Sequence, residues 1–189
     1  MSHNVDLVLL DWMLPDISGI EICKFIRSNK ELQSWVEDVS KMTKPENTYW
    51  CNGSKEEYEE FIQKMLGTGD LMQLNEETFP NCYLHRSDPS DVARVEHLTF
   101  ICTEDSEDAG PNNNWMDPKE AHEKLDDLFD NCMEGRTMYV IPYCMGPIGS
   151  ELSRCGVEIT DSPYVVANMY LMTSMGDCLL YTSPSPRDT

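Results

Sequence analysis

The sequence predicts an α/β domain, a mixed sheet with peripheral helices, on three observations. Two short runs of β-branched and aromatic residues, Thr137–Ile141 and Val157–Thr160, read as strands. They flank a loop of special backbone geometry built on Gly146, Pro147 and Gly149. Two amphipathic stripes, over 54–66 and 117–131, each begin on a capping residue and read as helices. With 40% hydrophobic residues in a chain of 189, one good core can be buried.

In chain order, Val5–Leu10 is a continuous apolar run, typical of a strand buried on both faces, and it ends at Asp11. After the turn WMLPD, Ser18 and Glu21 form a capping box, and Ile22, Cys23 and Ile26 share one helical face. Leu32, Trp35, Val36, Val39 and Met42 recur at helical spacing, so a helix continues to Lys44-Pro45. Tyr49–Cys51 reads as a short strand. Ser54 and Glu57 make a second capping box, Tyr58, Phe61, Ile62, Met65 and Leu66 form the apolar stripe, and Gly67 is its stop. Asn81–Arg86 is extended. Asp88-Pro89 opens a short helix with Val92 and Val95 inward and Arg94 outward. Thr99–Cys102 is another short strand, and the acidic, polar stretch Glu104–Asn114 is a loop. Asp117, Pro118 and Glu120 start a helix with Ala121, Leu125, Leu128 and Phe129 on one face. Pro142, which cannot donate to a ladder, closes the strand from Thr137, and Pro163 opens a third run of the β-rich segment, Tyr164–Met172. Residues 177–189, DCLLYTSPSPRDT, are Ser/Pro-rich and unpatterned.

A net charge of −20 opposes binding to nucleic acid or to an anionic membrane. It does not oppose a small anion, because a local arginine cluster outweighs a distant field across a short screening length. No apolar run reaches the length of a membrane span, and Met1 is not followed by a basic region and an apolar signal core. The expectation is a cytoplasmic monomer. Its eight cysteines, with no CxxC, are then expected to be reduced. The four histidines are dispersed, and His85 and His97 form no HExxH, so no zinc site is expected. The glycine-proline loop is no GxxxxGK[ST] phosphate loop.

Whole phrases stand beside this reading. WVEDVSKMTKPEN, WCNGSKEEYEEF, NCYLHRSDPSDVARVE, GRTMYVIPYCMGPIGS and TDSPYVVANMYLMTSMG follow one another between Gln33 and Gly176. In wording, order and spacing they resemble the N-terminal domain of GTP-dependent phosphoenolpyruvate carboxykinases. DLVLLDWMLPDISGIEICKFIR, within 5–32, resembles the middle of a response-regulator receiver domain, in which the acid matching Asp11 accepts a phosphoryl group. Residues 177–189 resemble a translated sequencing-adapter read-through. The chain is thus expected to divide into a receiver-like head (1–32), a carboxykinase N-terminal domain (33–176) and a disordered, artefactual tail (177–189), a chimera around a truncated enzyme domain.

The carboxykinase resemblance implies conversion of oxaloacetate and GTP to phosphoenolpyruvate, carbon dioxide and GDP, a step of gluconeogenesis, with manganese or magnesium. Decarboxylation leaves an enolate that the γ-phosphoryl group traps, which requires positioned cations around several oxyanions. The family's metal-binding lysine, histidine and aspartate, its phosphate loop and its guanine pocket lie past the end of the match. The resemblance therefore implies substrate-side elements and no turnover by the chain alone. It places one substrate-binding residue: Arg94, the arginine of the DxxDVAR motif in Asp88–Arg94, contacts the substrate carboxylate or the product phosphate in the family. A planar guanidinium suits bidentate recognition of an oxyanion. The alternative for Arg94 is a surface ion pair with Asp91 or Glu96. Ser87–Ser90 matches a loop that is mobile in the family, and no role is carried onto Arg86, Arg136 or Arg154. The competing function is a two-component signalling protein with Asp11 as phosphoacceptor, although the receiver's acidic pair and its later hydroxyl and lysine are missing. A small-molecule or partner-binding module that keeps the core without catalysis is a third reading.

Overall fold

The structure, a computed structural model, describes residues 30–87, 95–147 and 152–176. The expected strand Val5–Leu10, the Ser18–Glu21 cap, the Asp88-Pro89 helix and the tail from 177 lie outside the described residues. The central sheet is organised on β6 (Thr137–Met145), buried from Met138 to Cys144. On one side β6 pairs antiparallel with β7 (Arg154–Thr160) along its length. Its other side is shared. β1 (Asn47–Trp50) pairs in parallel from Thr137 to Val140, and β8 (Ser174–Met175) pairs antiparallel at Tyr143 and Cys144. This is the mixed sheet predicted, with one correction. The strand does not stop at Pro142 but runs through it, with Pro142 in register with Val157. The ring is tolerated because β1 has ended at Val140 and β8 has not begun, so no donor is asked of it.

Helices cover both faces. On one, Leu32 and Val36 of α1 (Lys30–Thr43) pack with Met133, Met138, Val140, Val157 and Ile159. On the other, α2 (Lys55–Thr68) and α4 (Pro163–Met172) bring Phe61, Ile62, Met65, Val166, Ala167 and Met169 onto Tyr139, Ile141 and Tyr143. Each such valine, leucine, isoleucine, phenylalanine or methionine side chain, once fully buried, contributes roughly 1.5–3 kcal/mol. The α1 stripe is the one read from its spacing. The cap of α2 also holds, since Ser54 Oγ accepts from Glu57 N at 3.1 Å. The helix, however, passes through Gly67 and ends at Gly69, whose φ of 85° supplies the left-handed stop.

The larger correction is α4. Tyr164–Met172 was expected to continue the β-rich run, and it is helical. Ser162 Oγ accepts from Val165 N at 3.5 Å and Pro163 fills the first turn, which together are a helix start. α4 packs between α2 and the sheet through Val166, Ala167 and Met169, but it also carries apolar residues on its exposed side, Leu171 and Met172, so no helical period shows in the sequence.

Between these elements lie small pairings. β2 (Leu71–Gln73) and β3 (Tyr83–His85) form an antiparallel pair. β4 (Phe100–Ile101) pairs in parallel with β5 (Asn114–Trp115). The acidic stretch expected as loop is partly ordered: Asp105 caps a 3-10 turn, Ser106–Ala109, and Ala109 is buried. α3 (Pro118–Phe129) starts as predicted, with Asp117 Oδ1 accepting from Lys119 N and Glu120 N. Its apolar face is only partly used. Ala121 is buried, while Leu125 and Leu128 stay exposed among the described residues.

Glu158 stands opposite Ile141 on β7 and is 4% exposed. Burial raises its carboxyl above the ordinary value of 4.5. A group whose folded value is raised favours folding while protonated, so its contribution is full below about pH 4.5 and is lost as pH rises through the folded value. Glu158→Gln should therefore flatten this limb of the stability curve and raise stability near pH 7 by about 1 kcal/mol. Denaturant melts at about pH 4 and pH 7 check it; equal shifts at both would show that the carboxylate charge is not the cause.

Candidate functional site

Arg94 lies outside the described residues, as do the rest of Asp88–Arg94. The structure fixes the points from which that segment leaves and to which it returns. Upstream, β3 ends at His85, whose Nδ1 stands 2.8 Å from the Asp70 carbonyl oxygen. A carbonyl only accepts, so Nδ1 is the donor in this contact. The same ring stacks on Tyr164, in the first turn of α4, with centroids 3.9 Å apart and 20° between planes. Downstream, Glu96–Leu98 forms a 3-10 turn. Asn114 Nδ2 donates to the carbonyls of Glu96 at 2.8 Å and Thr99 at 3.1 Å, tying this end to β5. Trp115 Nε1 donates to Thr103 O at 3.0 Å. The upstream anchor thus packs on α4, while the downstream turn is held by hydrogen bonds among exposed residues.

A second focus lies past the end of β1, where the chain turns into α2. The carboxyl ends of strands are where α/β sheets present their sites. Glu57 is 4% exposed and its carboxylate gathers this loop. It accepts from Asn52 N at 2.9 and 3.1 Å, from Gly53 N at 2.8 Å and from the Tyr49 hydroxyl at 2.9 Å. Its predicted role as the reciprocal half of a capping box is therefore shifted: it reaches past Ser54, whose N–H goes to Asn52 Oδ1 at 2.7 Å. Burial and the bond to Glu57 push the Tyr49 hydroxyl up to about 12. Burial, with the Glu57 charge behind it, also drives the Cys51 thiol well up, so Cys51 is not a thiolate nucleophile at neutral pH. Nothing but the wording Asn52-Gly53-Ser54 signalled this loop in the sequence.

The other basic residues are engaged structurally. Arg136 forms an ion pair with Asp161 at 2.5 Å and also donates to the Cys132 carbonyl. Arg154 Nη1 donates to Ser153 O at 2.8 Å. Lys64 Nζ donates to the Tyr139 hydroxyl at 2.9 Å at the mouth of a cavity of about 240 Å³, lined also by Tyr49 and Glu60. Among the described residues no group of three or more His, Cys, Asp or Glu could hold a metal ion. These residues do not fit the manganese or magnesium that the resemblance implies. No helix among them is long and apolar enough to cross a membrane.

A mixed sheet covered by helices on both faces defines an α/β domain, and the chain belongs to a family of such domains. The sequence model of the phosphoenolpyruvate carboxykinase N-terminal domain matches residues 34–185. The chain is 52% identical over 149 residues to "Phosphoenolpyruvate carboxykinase [GTP]" of Chlamydia muridarum, covering 79% of this chain and 25% of that protein. It is 53% identical over 152 residues to the protein of the same name from Neocallimastix frontalis (80% and 25%). With that of Chlamydia trachomatis it shares 52% over 164 residues (87% and 27%). The chain thus spans about a quarter of the length of these relatives. The match begins beside the boundary read at residue 33 and runs past Gly176 to residue 185. Asp11 precedes it and lies outside the described residues, and the comparisons give the phosphoacceptor reading no support.

Proposed function

We propose that this chain carries the oxaloacetate- and phosphoenolpyruvate-side portion of a GTP-dependent carboxykinase, with Arg94 gripping the anionic end of the substrate. The observation that carries the reading is the intact DPSDVAR wording between two braced anchors, His85 upstream and the Asn114-held turn downstream. Bracing fits the chemistry. A guanidinium that must meet an oxyanion at charge-assisted hydrogen-bond range works best when the segment bearing it has little freedom to lose. GTP and manganese or magnesium would be held by parts of the enzyme that this quarter of the relatives' length does not include, and when bound they supply the phosphoryl group and neutralise its charge. On this reading the 189-residue chain alone forms no phosphoenolpyruvate above background.

A domain graft tests it. Residues 34–176 replace the corresponding segment of the Chlamydia muridarum relative. The grafted enzyme is expected to retain GTP-dependent phosphoenolpyruvate formation, and the isolated chain to show none. A graft that folds and binds GTP but does not turn over would remove the proposal. So would turnover by the isolated chain. We further propose a cytoplasmic, monomeric protein, in which 1–32 and 177–189 have an origin separate from 33–176. Sequencing the source DNA through codons 28 to 36 and past codon 176 on independent clones tests that division, and uninterrupted carboxykinase sequence there would overturn it.

A further inference from the structure

Cys144 on β6 and Cys155 on β7 are direct register partners across the antiparallel ladder, and neither is in a disulfide. Val140 O accepts from Cys51 N, so Val140 faces the β1 side with its peptide groups. By strand alternation Cys144 faces that side too, where its partner is Ser174 of β8. Toward β7, Cys144 and Cys155 therefore make a non-hydrogen-bonded pair, the kind whose Cα atoms approach to about 4.5 Å. A disulfide spans about 4.4–6.8 Å between Cα atoms. Directly opposed residues share one face of the sheet, so the two side chains project together. Cys144 is buried at 1% exposure and Cys155 is half-buried, so a small oxidant meets Cys155 first. One register step further, Met145 pairs with Arg154 and the ladder opens at Gly146, which turns with a φ of 83°.

We propose that Cys144 and Cys155 form a reversible cross-strand disulfide, closed by a hydroperoxide, that fastens the loop end of the β6–β7 hairpin. The Cys155 thiolate attacks the peroxide O–O bond, becoming a sulfenic acid and releasing an alcohol, or water when the oxidant is hydrogen peroxide. The Cys144 sulfur then displaces the sulfenic hydroxyl, which leaves as water with the Cys144 proton. The two sulfurs together lose two electrons, which the broken O–O bond takes up. A dithiol restores both thiols by exchange. The bond restricts the unfolded chain while the opposed strands already hold both ends in place.

The test uses the full chain, reduced and then treated with hydrogen peroxide. Thiols titrated in denaturant should fall by two from the eight present. Peptide mapping should find Cys144 linked to Cys155, and the thermal midpoint should rise by about 5 °C and return with dithiothreitol. Cys155→Ala should lose all three responses, and Cys132→Ala should keep them. Oxidation that stops at a sulfinic acid on Cys155, or that links Cys155 to Cys132, overturns the proposal. If Cys155→Ala does not fold, the wild-type peptide map decides alone.

Discussion

Replacing Arg94 by alanine, in an enzyme of the relatives' full length, is expected to lower kcat/KM by about 30- to 1000-fold. The figure follows from losing a charge-assisted, bidentate contact in a partly desolvated site, roughly 2–4 kcal/mol. Arg94→Lys should recover only part, because the charge returns without the planar fork. The alternative, a surface ion pair with Asp91 or Glu96, is worth about 0–1 kcal/mol of stability and almost nothing in turnover. Steady-state kinetics on the two variants separate these. A kcat/KM for Arg94→Ala within about threefold of the parent, under one kcal/mol, makes Arg94 a surface residue.

Gly53→Ala is expected to destabilise the domain by about 4 kcal/mol, lowering its thermal midpoint by about 10 °C. Gly53 has a φ of 69°, which alanine adopts only with strain. An added Cβ would also stand 1.9 Å from the Met175 carbonyl oxygen, and backbone cannot swing aside as a side chain can. Relief requires the loop to pull away from β8, which breaks the bonds that Asn52 N and Gly53 N make to the buried Glu57 carboxylate. Gly67→Ala is the control. It sits inside α2 with nothing within 4 Å of its Cβ, and alanine there should stabilise by about 0.5–1 kcal/mol. If both variants melt alike, the crossing of the two loops is not a constraint.

The elements that could be read in advance are those whose signals are local. α1 shows in the spacing of Leu32, Trp35, Val36 and Val39, and α3 in the cap Asp117 with Pro118 behind it. The α/β class followed from these and from the two runs that became β6 and β7. Tyr164–Met172 was misread because its β-branched and aromatic content outweighed the quieter signal of Ser162-Pro163, and apolar residues on its exposed side, Leu171 and Met172, erased the helical period. Parallel pairing of β1 with β6 joins distant parts of the chain and leaves no local mark. The same holds for Glu57, whose bonds to Asn52 and Gly53 exist because of the turn after β1. The Cys144–Cys155 apposition depends on register alone, so a search for short cysteine spacings passes over it. For Arg94 the wording came from the family, and the described residues add its two anchors.

Pro142 sets the lengths of two strands that it never hydrogen-bonds. Were β1 to grow beyond Trp50, or β8 beyond Met175, the newcomer would meet a position with no N–H to give and would leave a carbonyl stranded in the core. The imino acid works as a full stop between two clauses written along one edge of β6. It allows a parallel and an antiparallel neighbour to share that edge without either sliding into the other's frame.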